Sequence, residues 1–239
     1  MKIIISPTKK MVIDNDSFKH KSLPFFIEET KIIKEKLLTF NKKELKSLWK
    51  CSDKLLEENY ERLINMDLYS NLTCAIMSYR GLQFQYMAPS LFTKEQLEYV
   101  DKHLIILSGF YGALKPFDGV TPYRLEMQSR LSINDNKDLY EFWSEKITKK
   151  LEADLIINLA SNEYSKVINL NKINIIFGEL INDKVVEKGT LCKMARGEMV
   201  RYMAENNIKD VDSIKNFDRL GYKYNKEFSD EYNIVFIKD

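Results

Sequence analysis

Three serines, a set of lysines and arginines and a few carboxylates are the groups in this chain whose types and spacing could do chemistry. Each serine follows a short apolar run: Ile5-Ser6-Pro7-Thr8-Lys9, Leu107-Ser108-Gly109 and Leu159-Ala160-Ser161-Asn162-Glu163. If those runs are parallel strands, Ser6, Ser108 and Ser161 meet at one carboxyl edge of a sheet. Hydroxyls, backbone N–H groups and the Lys9 ammonium can there hold a phosphate or a sugar. Capping of a following helix is the plainer role for any one of these serines. Residues 104–127, LIILSGFYGALKPFDGVTPYRLEM, add Gly109, Gly112, Pro116, Asp118, Gly119 and Pro122 to one loop of a chain that has only 8 glycines and 5 prolines. Such a loop has restricted backbone freedom and follows an apolar run, where open α/β sheets bind ligands. It closes on Arg124 and Glu126, which pair if they share a strand face. In a cleft, Arg124 would meet phosphate while Glu126 orients it or handles a proton. Asp118, Glu126 and Ser108 are the candidate catalytic groups, with Glu163, Asn158 and Asn162 nearby in type.

The candidate phosphate-binding cations are Lys9, Arg80, Arg124, Lys193, Arg196 and Arg201, because charge neutralisation supplies most nucleic-acid affinity. Lys193 and Arg196 are three apart and share a helix face, with Arg201 further round. Arg80-Gly81 follows an apolar run and can point into the same cleft. Tyr79, Phe84 and Tyr86 can stack on unpaired bases or serve the core. Neither histidine, His20 or His103, lies in a candidate motif. No Walker A sequence, GxGxxG fingerprint, Ser-His-Asp set or Cys-His set is present. No metal site and no cofactor are expected.

These groups need elements to position them. Lys2–Ile5, Leu104–Leu107, Leu155–Leu159 and Ile173–Phe177 read as buried strands, with 74–79 and Tyr232–Ile237 as further ones. Helical spacing covers Ile27–Thr39, Lys42–Trp49, Asp53–Asn65, Thr93–Lys102, Tyr140–Glu152 and Lys193–Asn206, and Thr93 with Gln96 forms a capping box. The expectation is one compact mixed α/β unit. The net charge of +2 and pI near 8.2 exclude a strongly basic domain, so any polyanion site must be local. No apolar run spans a membrane, the N-terminal run is shorter than a signal peptide core, and Cys51, Cys74 and Cys192 are scattered. A cytoplasmic chain with reduced thiols is expected.

The segments ISPTK (5–9), SDKL (52–55), SGFYGALKPFDGVTPYRLEM (108–127), DLYEFW (138–143), NLASNEY (158–164), KMARGEM (193–199) and GYKYNKEFSDEYNIVFIK (221–238) together resemble the YaaA family, in order and over nearly the whole chain. The resemblance implies a bacterial cytoplasmic protein of the peroxide-stress response. It implies a single domain over 1–239, a mixed α/β fold with a basic cleft, and a helix-hairpin-helix-like element over 42–65. It further implies binding of DNA, duplex or partly open, and protection against unincorporated iron. The turn Lys50-Cys51-Ser52-Asp53 departs from a helix-hairpin-helix by lacking glycine. Leu82-Gln83-Phe84-Gln85-Tyr86 stands where many relatives have an acidic residue and a tyrosine, and Lys193-Met194 replaces a more basic pair. The residues alone leave an alternative open: an enzyme of hydrolase or glycosylase type acting on a nucleoside, nucleotide or base at the 108–127 loop.

Overall fold

The computed structural model describes residues 1–14, 16–151, 153 and 155–238. The chain opens on β1 (Lys2–Ile5), whose Ile3, Ile4 and Ile5 have no exposed surface, and turns through Pro7 into the two-residue β2 (Lys10–Met11). Three helices follow: α1 (Ile27–Leu38), α2 (Lys42–Trp49), started by an Asn41/Glu44 capping box, and α3 (Asp53–Ile64), capped by Ser52. A tight segment then folds as β3 (Thr73–Cys74), α4 (Ala75–Ser78), β4 (Tyr79–Arg80) and α5 (Leu82–Met87). Helix α6 (Lys94–His103) carries the capping box expected of Thr93 and Gln96. It leads into β5 (Leu104–Ser108), β6 (Gly112–Leu114) and β7 (Gly119–Val120). The second half runs α7 (Leu139–Leu151), β8 (Ile156–Leu159), α8 (Asn162–Ser165), β9 (Ile173–Ile181), β10 (Lys184–Val186), α9 (Gly189–Glu205), α10 (Val211–Ile214), β11 (Tyr222–Asn225) and β12 (Asn233–Lys238).

Eight strands form one mixed sheet in the order β11-β12-β9-β8-β1-β5-β6, with β10 added to β9. The five central strands, β12 to β5, are parallel to one another, and β11, β10 and β6 add to them antiparallel. Parallel strands covered on both faces read as continuous apolar runs, which is why the four main strands are visible in the sequence. Two boundaries move: β9 runs on to Ile181, and α9 begins at Gly189 rather than Lys193. The final residue of the expected helix ending at Glu152 lies outside the described residues.

The expected strand over 74–79 is corrected: Ala75–Ser78 is one helical turn between two short strands. Its N–H groups at Ala75 and Ile76 bond the carbonyls of Asp118 and Pro116, so tertiary partners rather than periodicity set the conformation.

The order in which strands are added reverses at the centre of the sheet. From β1 the chain passes to β5 on one side, whereas from β8 it passes to β9 on the other. The carboxyl ends of β1 and β8 therefore flank a topological switch point, where open α/β sheets leave a crevice.

Candidate functional site at the sheet switch point

Ser6 and Ser161 stand at this crevice and bond to each other. Ser6 Oγ accepts the Ser161 N–H at 2.8 Å and lies 3.2 Å from Ser161 Oγ. Ser161 does not cap α8 with its side chain, so the expected capping role does not apply to it. Ser108 ends β5 at the same edge but turns inward. Its hydroxyl accepts the N–H groups of Phe110 and Tyr111 and meets Tyr123 OH at 2.7 Å, which meets Tyr79 OH at 2.9 Å. Burial pushes the Tyr123 phenol up to about 12, against hydrogen bonds from Ser108 and Tyr79. The structure thus places Ser108 in a buried hydroxyl chain, apart from the crevice. Tyr79 and Phe84 are likewise core residues, and Tyr86 is half-buried.

The crevice is a cavity of about 380 Å³. Five cationic side chains line it, Lys9, Lys10, Arg80, Lys193 and Arg196, against two carboxylates, Glu126 and Glu163, a surplus of three positive charges. The cations arrive on three separate segments. Lys9 and Lys10 follow β1 through the rigid Pro7. Arg80 sits opposite Lys10 in the β2–β4 pair. Two cations facing each other across strands repel, and Arg80 is partly neutralised by Asp14 at 3.2 Å. Gly81 lets this turn close on the β1 segment, since a Cβ there would lie 2.8 Å from Thr8 Cγ2. Lys193 and Arg196 come from α9, which packs tightly on α5 because Gly197 has no side chain. A Cβ at Gly197 would lie 2.0 Å from the Gln83 carbonyl oxygen.

The two carboxylates have contrasting surroundings. Glu126 pairs with Lys9 at 2.9 Å and lies 3.9 Å from Arg124. Glu163 receives the Gln128 N–H at 3.4 Å. Burial, reinforced by the Glu126 charge and opposed by Lys9 and Lys166, raises its carboxyl above the usual range. An ion pair as exposed as Lys9–Glu126 is worth about 0–1 kcal/mol, so Lys9 can be drawn to an incoming anion at little cost.

Three sequence candidates lie elsewhere. Arg124 is nearly buried and directs Nε and Nη2 to the Trp49 carbonyl at 3.4 and 3.3 Å, tying the end of α2 to the loop that carries Glu126. Arg201 bonds Glu205 at 2.8 Å in a network with Arg219 and Glu198, and does not line the cavity. Asp118 lies at the opposite, amino edge of the sheet. It is 3 % exposed and accepts Ser22 OH at 2.7 Å and Lys115 N–H at 2.8 Å. In the 42–65 hairpin, Lys46 pairs with Asp53, Arg62 with Glu58 and Lys42 with Glu57, so those cations are satisfied within the element.

Sequence reasoning missed Gln83 as a site residue. It lines the cavity from α5, is 5 % exposed, and its Nε2 is buried without a partner. Arg196 Nε is unpartnered as well, although its Nη2 reaches Glu187 at 3.1 Å. Among the described residues, no three His, Cys, Asp or Glu side chains gather to hold a metal ion, and no helix is long and apolar enough to cross a membrane.

The fold is thus that of an α/β protein with a cationic crevice at the switch point of its sheet. Residues 1–228 match the model of the family described as peroxide stress protein YaaA. The chain is 52 % identical to a UPF0246 protein of Agathobacter rectalis, covering 99 % of this chain and 98 % of that one. It is 50 % identical to a UPF0246 protein of Lachnoclostridium phytofermentans, covering 100 % and 96 %. A UPF0246 protein of Desulfitobacterium hafniense is 47 % identical, covering 100 % and 98 %. The chain belongs to the YaaA peroxide stress protein family.

Proposed function

We propose that this chain binds DNA, duplex or partly open, at the carboxyl-edge cavity, and so helps limit iron-dependent damage during peroxide stress. One observation carries the reading. Cations from residues 9–10, 80 and 193–196, far apart in sequence, converge on one crevice although the chain as a whole is almost neutral. Local convergence against a neutral background is what a phosphate-binding patch requires. Shielding of DNA accounts for an effect on iron damage without an iron ligand set on the protein.

The test is fluorescence anisotropy with labelled duplex, bubble and single-stranded DNA at stepped salt, on the native protein and on Lys193→Ala/Arg196→Ala. Binding with a steep salt slope that flattens in the variant supports the proposal. Absent binding, or binding unchanged by the double substitution, sinks it.

A second reading, hydrolysis of a nucleoside, nucleotide or base linkage, draws on Glu126 and Glu163 sharing the cavity. Carboxylates in contrasting environments can divide acid and base roles. Under this reading Glu126→Gln spares binding and abolishes product, as followed by chromatography of the incubated DNA or nucleotide. Asp118, at the other edge, has no part in it.

A further inference from the structure

We infer that the cavity between β1 and β8 holds a single 5′-nucleotide unit, with the base edge on Gln83 and Arg196 and the phosphate at the Lys9 and Lys193 mouth. This rests on the reading that the carboxyl edge binds nucleic acid, and it names the part of the nucleic acid that enters.

Size favours a single nucleotide. The cavity measures about 380 Å³, within the roughly 300–1,000 Å³ of pockets that enclose small molecules. A duplex is read by elements that protrude into its grooves, whereas this crevice is concave. One nucleotide, free or turned out of a strand, matches a concave site.

Unmatched donors point the same way. Gln83 and Arg196 belong to different helices and line the same cavity, and one donor of each, Gln83 Nε2 and Arg196 Nε, is buried without a partner. Buried donors are paired in nearly all proteins, and leaving one unpaired is costly. Among the described residues, the other two unmatched buried side-chain atoms are Trp49 Nε1 and Asn59 Oδ1, whose residues border a gap of only about 10 Å³ beside α2 and α3, with room for one water at most. The Gln83 and Arg196 pair instead borders a space large enough for a ligand with acceptors.

The remaining wall completes the fit. Pro7, Leu82 and Tyr164 supply apolar surface for a base. Glu126 and Glu163 supply acceptors for exocyclic amino and ring N–H groups. A ligand with a flat apolar body, both donors and acceptors on its edge, and an anionic end fits all three sets of groups.

The experiment is isothermal titration calorimetry with the four common 5′-monophosphates, their nucleosides and inorganic phosphate, on native protein, Gln83→Met and Arg196→Lys. Bubble DNA is measured by anisotropy on the same three proteins. Gln83→Met keeps the side-chain volume and removes the amide; Arg196→Lys keeps the charge and removes Nε. The expected result is saturable 1:1 binding of at least one monophosphate, tighter than its nucleoside and than phosphate, and weakened about tenfold in each variant. The melting temperature of Gln83→Met stays equal or rises, because an unpaired donor is removed. Free monophosphates that do not bind, with bubble-DNA affinity lowered in both variants, assign the pocket to an extruded nucleotide and also support the inference. Phosphate bound as tightly as any nucleotide overturns it. Inert monophosphates with bubble-DNA affinity equal in all three proteins overturn it too, and leave the DNA reading standing. Absence of both nucleotide and DNA binding removes that reading as well.

Discussion

At the amino edge of the sheet, Asp118 is buried and receives two donors, the Ser22 hydroxyl and the Lys115 N–H. At the carboxyl edge, eight residues further along the same loop, Glu126 faces a cavity and pairs with the exposed Lys9. Both ends have a cavity, about 270 and 380 Å³, and both have lysines. At the amino edge Lys2, Lys115 and Lys150 outnumber the one carboxylate, Asp118, yet two of the lysines are held by neutral groups of the protein itself. Lys2 Nζ donates to the Lys102 carbonyl at 2.7 Å, and Lys150 Nζ lies 3.4 Å from the centre of the Phe25 ring. Burial and the neighbouring Lys115 and Lys102 charges lower the Lys2 ammonium pKa. The carboxyl edge has a positive surplus as well, and differs in two buried side-chain donors, Gln83 Nε2 and Arg196 Nε, that have no partner. Charge and concavity alone therefore do not mark a site; polar groups left over after the protein has paired its own do.

The largest effect expected from breaking this contrast is at Gly197. Gly197→Ala drives α9 off α5, costs about 3 kcal/mol by urea denaturation, and loses ligand binding with it. Stability near that of the native protein would show that the helix contact is softer than the 2.0 Å approach implies.

The next pair sharpens the comparison directly. Asp118→Ala strands the Lys115 N–H and costs about 2 kcal/mol while leaving DNA affinity in the folded protein unchanged. Glu126→Gln changes stability by less than about 0.5 kcal/mol and alters binding or turnover. The reverse pattern would exchange the roles assigned to the two edges.

The smallest effect is in pH dependence. The Glu163 carboxyl is raised in the folded state, so the native protein binds more protons than the unfolded chain just above the ordinary glutamate pKa. That share of stability is present at low pH and is lost as pH rises through the folded value. Glu163→Gln removes the loss, so the denaturation midpoint at pH 7 minus that at pH 4.5 becomes more positive than in the native protein. An unchanged difference would mean that Glu163 is not confined with Glu126 as described.

Much of the scaffold is legible in the sequence. β1, β5, β8, β9 and β12 are buried in a parallel core and show as apolar, β-branched runs, and α6 announces itself through Thr93 and Gln96. The meeting of Ser6 with Ser161 follows from strand ends alone. Side-chain direction does not. Ser108 turns inward because the Phe110 and Tyr111 N–H groups and Tyr123 need it, and Asp118 because Ser22 and Lys115 do. Arg124 is spent on the Trp49 carbonyl, a contact 75 residues distant that no local pattern encodes. Gln83 carried a faint signal, a polar residue inside the buried part of a short helix, Leu82–Met87, where an apolar one would pack. Cys74 and Cys192 are buried with thiols pushed up to about 11, which argues against either as a thiolate that meets peroxide readily.

The central claim is that the carboxyl edge, and not the amino edge, takes up the nucleic acid. The most direct measurement compares the salt dependence of duplex and bubble DNA affinity for Lys9→Ala/Lys193→Ala with that for Lys115→Ala/Lys150→Ala. The account predicts that the first pair lowers the slope of log affinity against log salt by about 1–2, while the second leaves it at the native value. Equal loss in both pairs, or loss confined to the second, would contradict it.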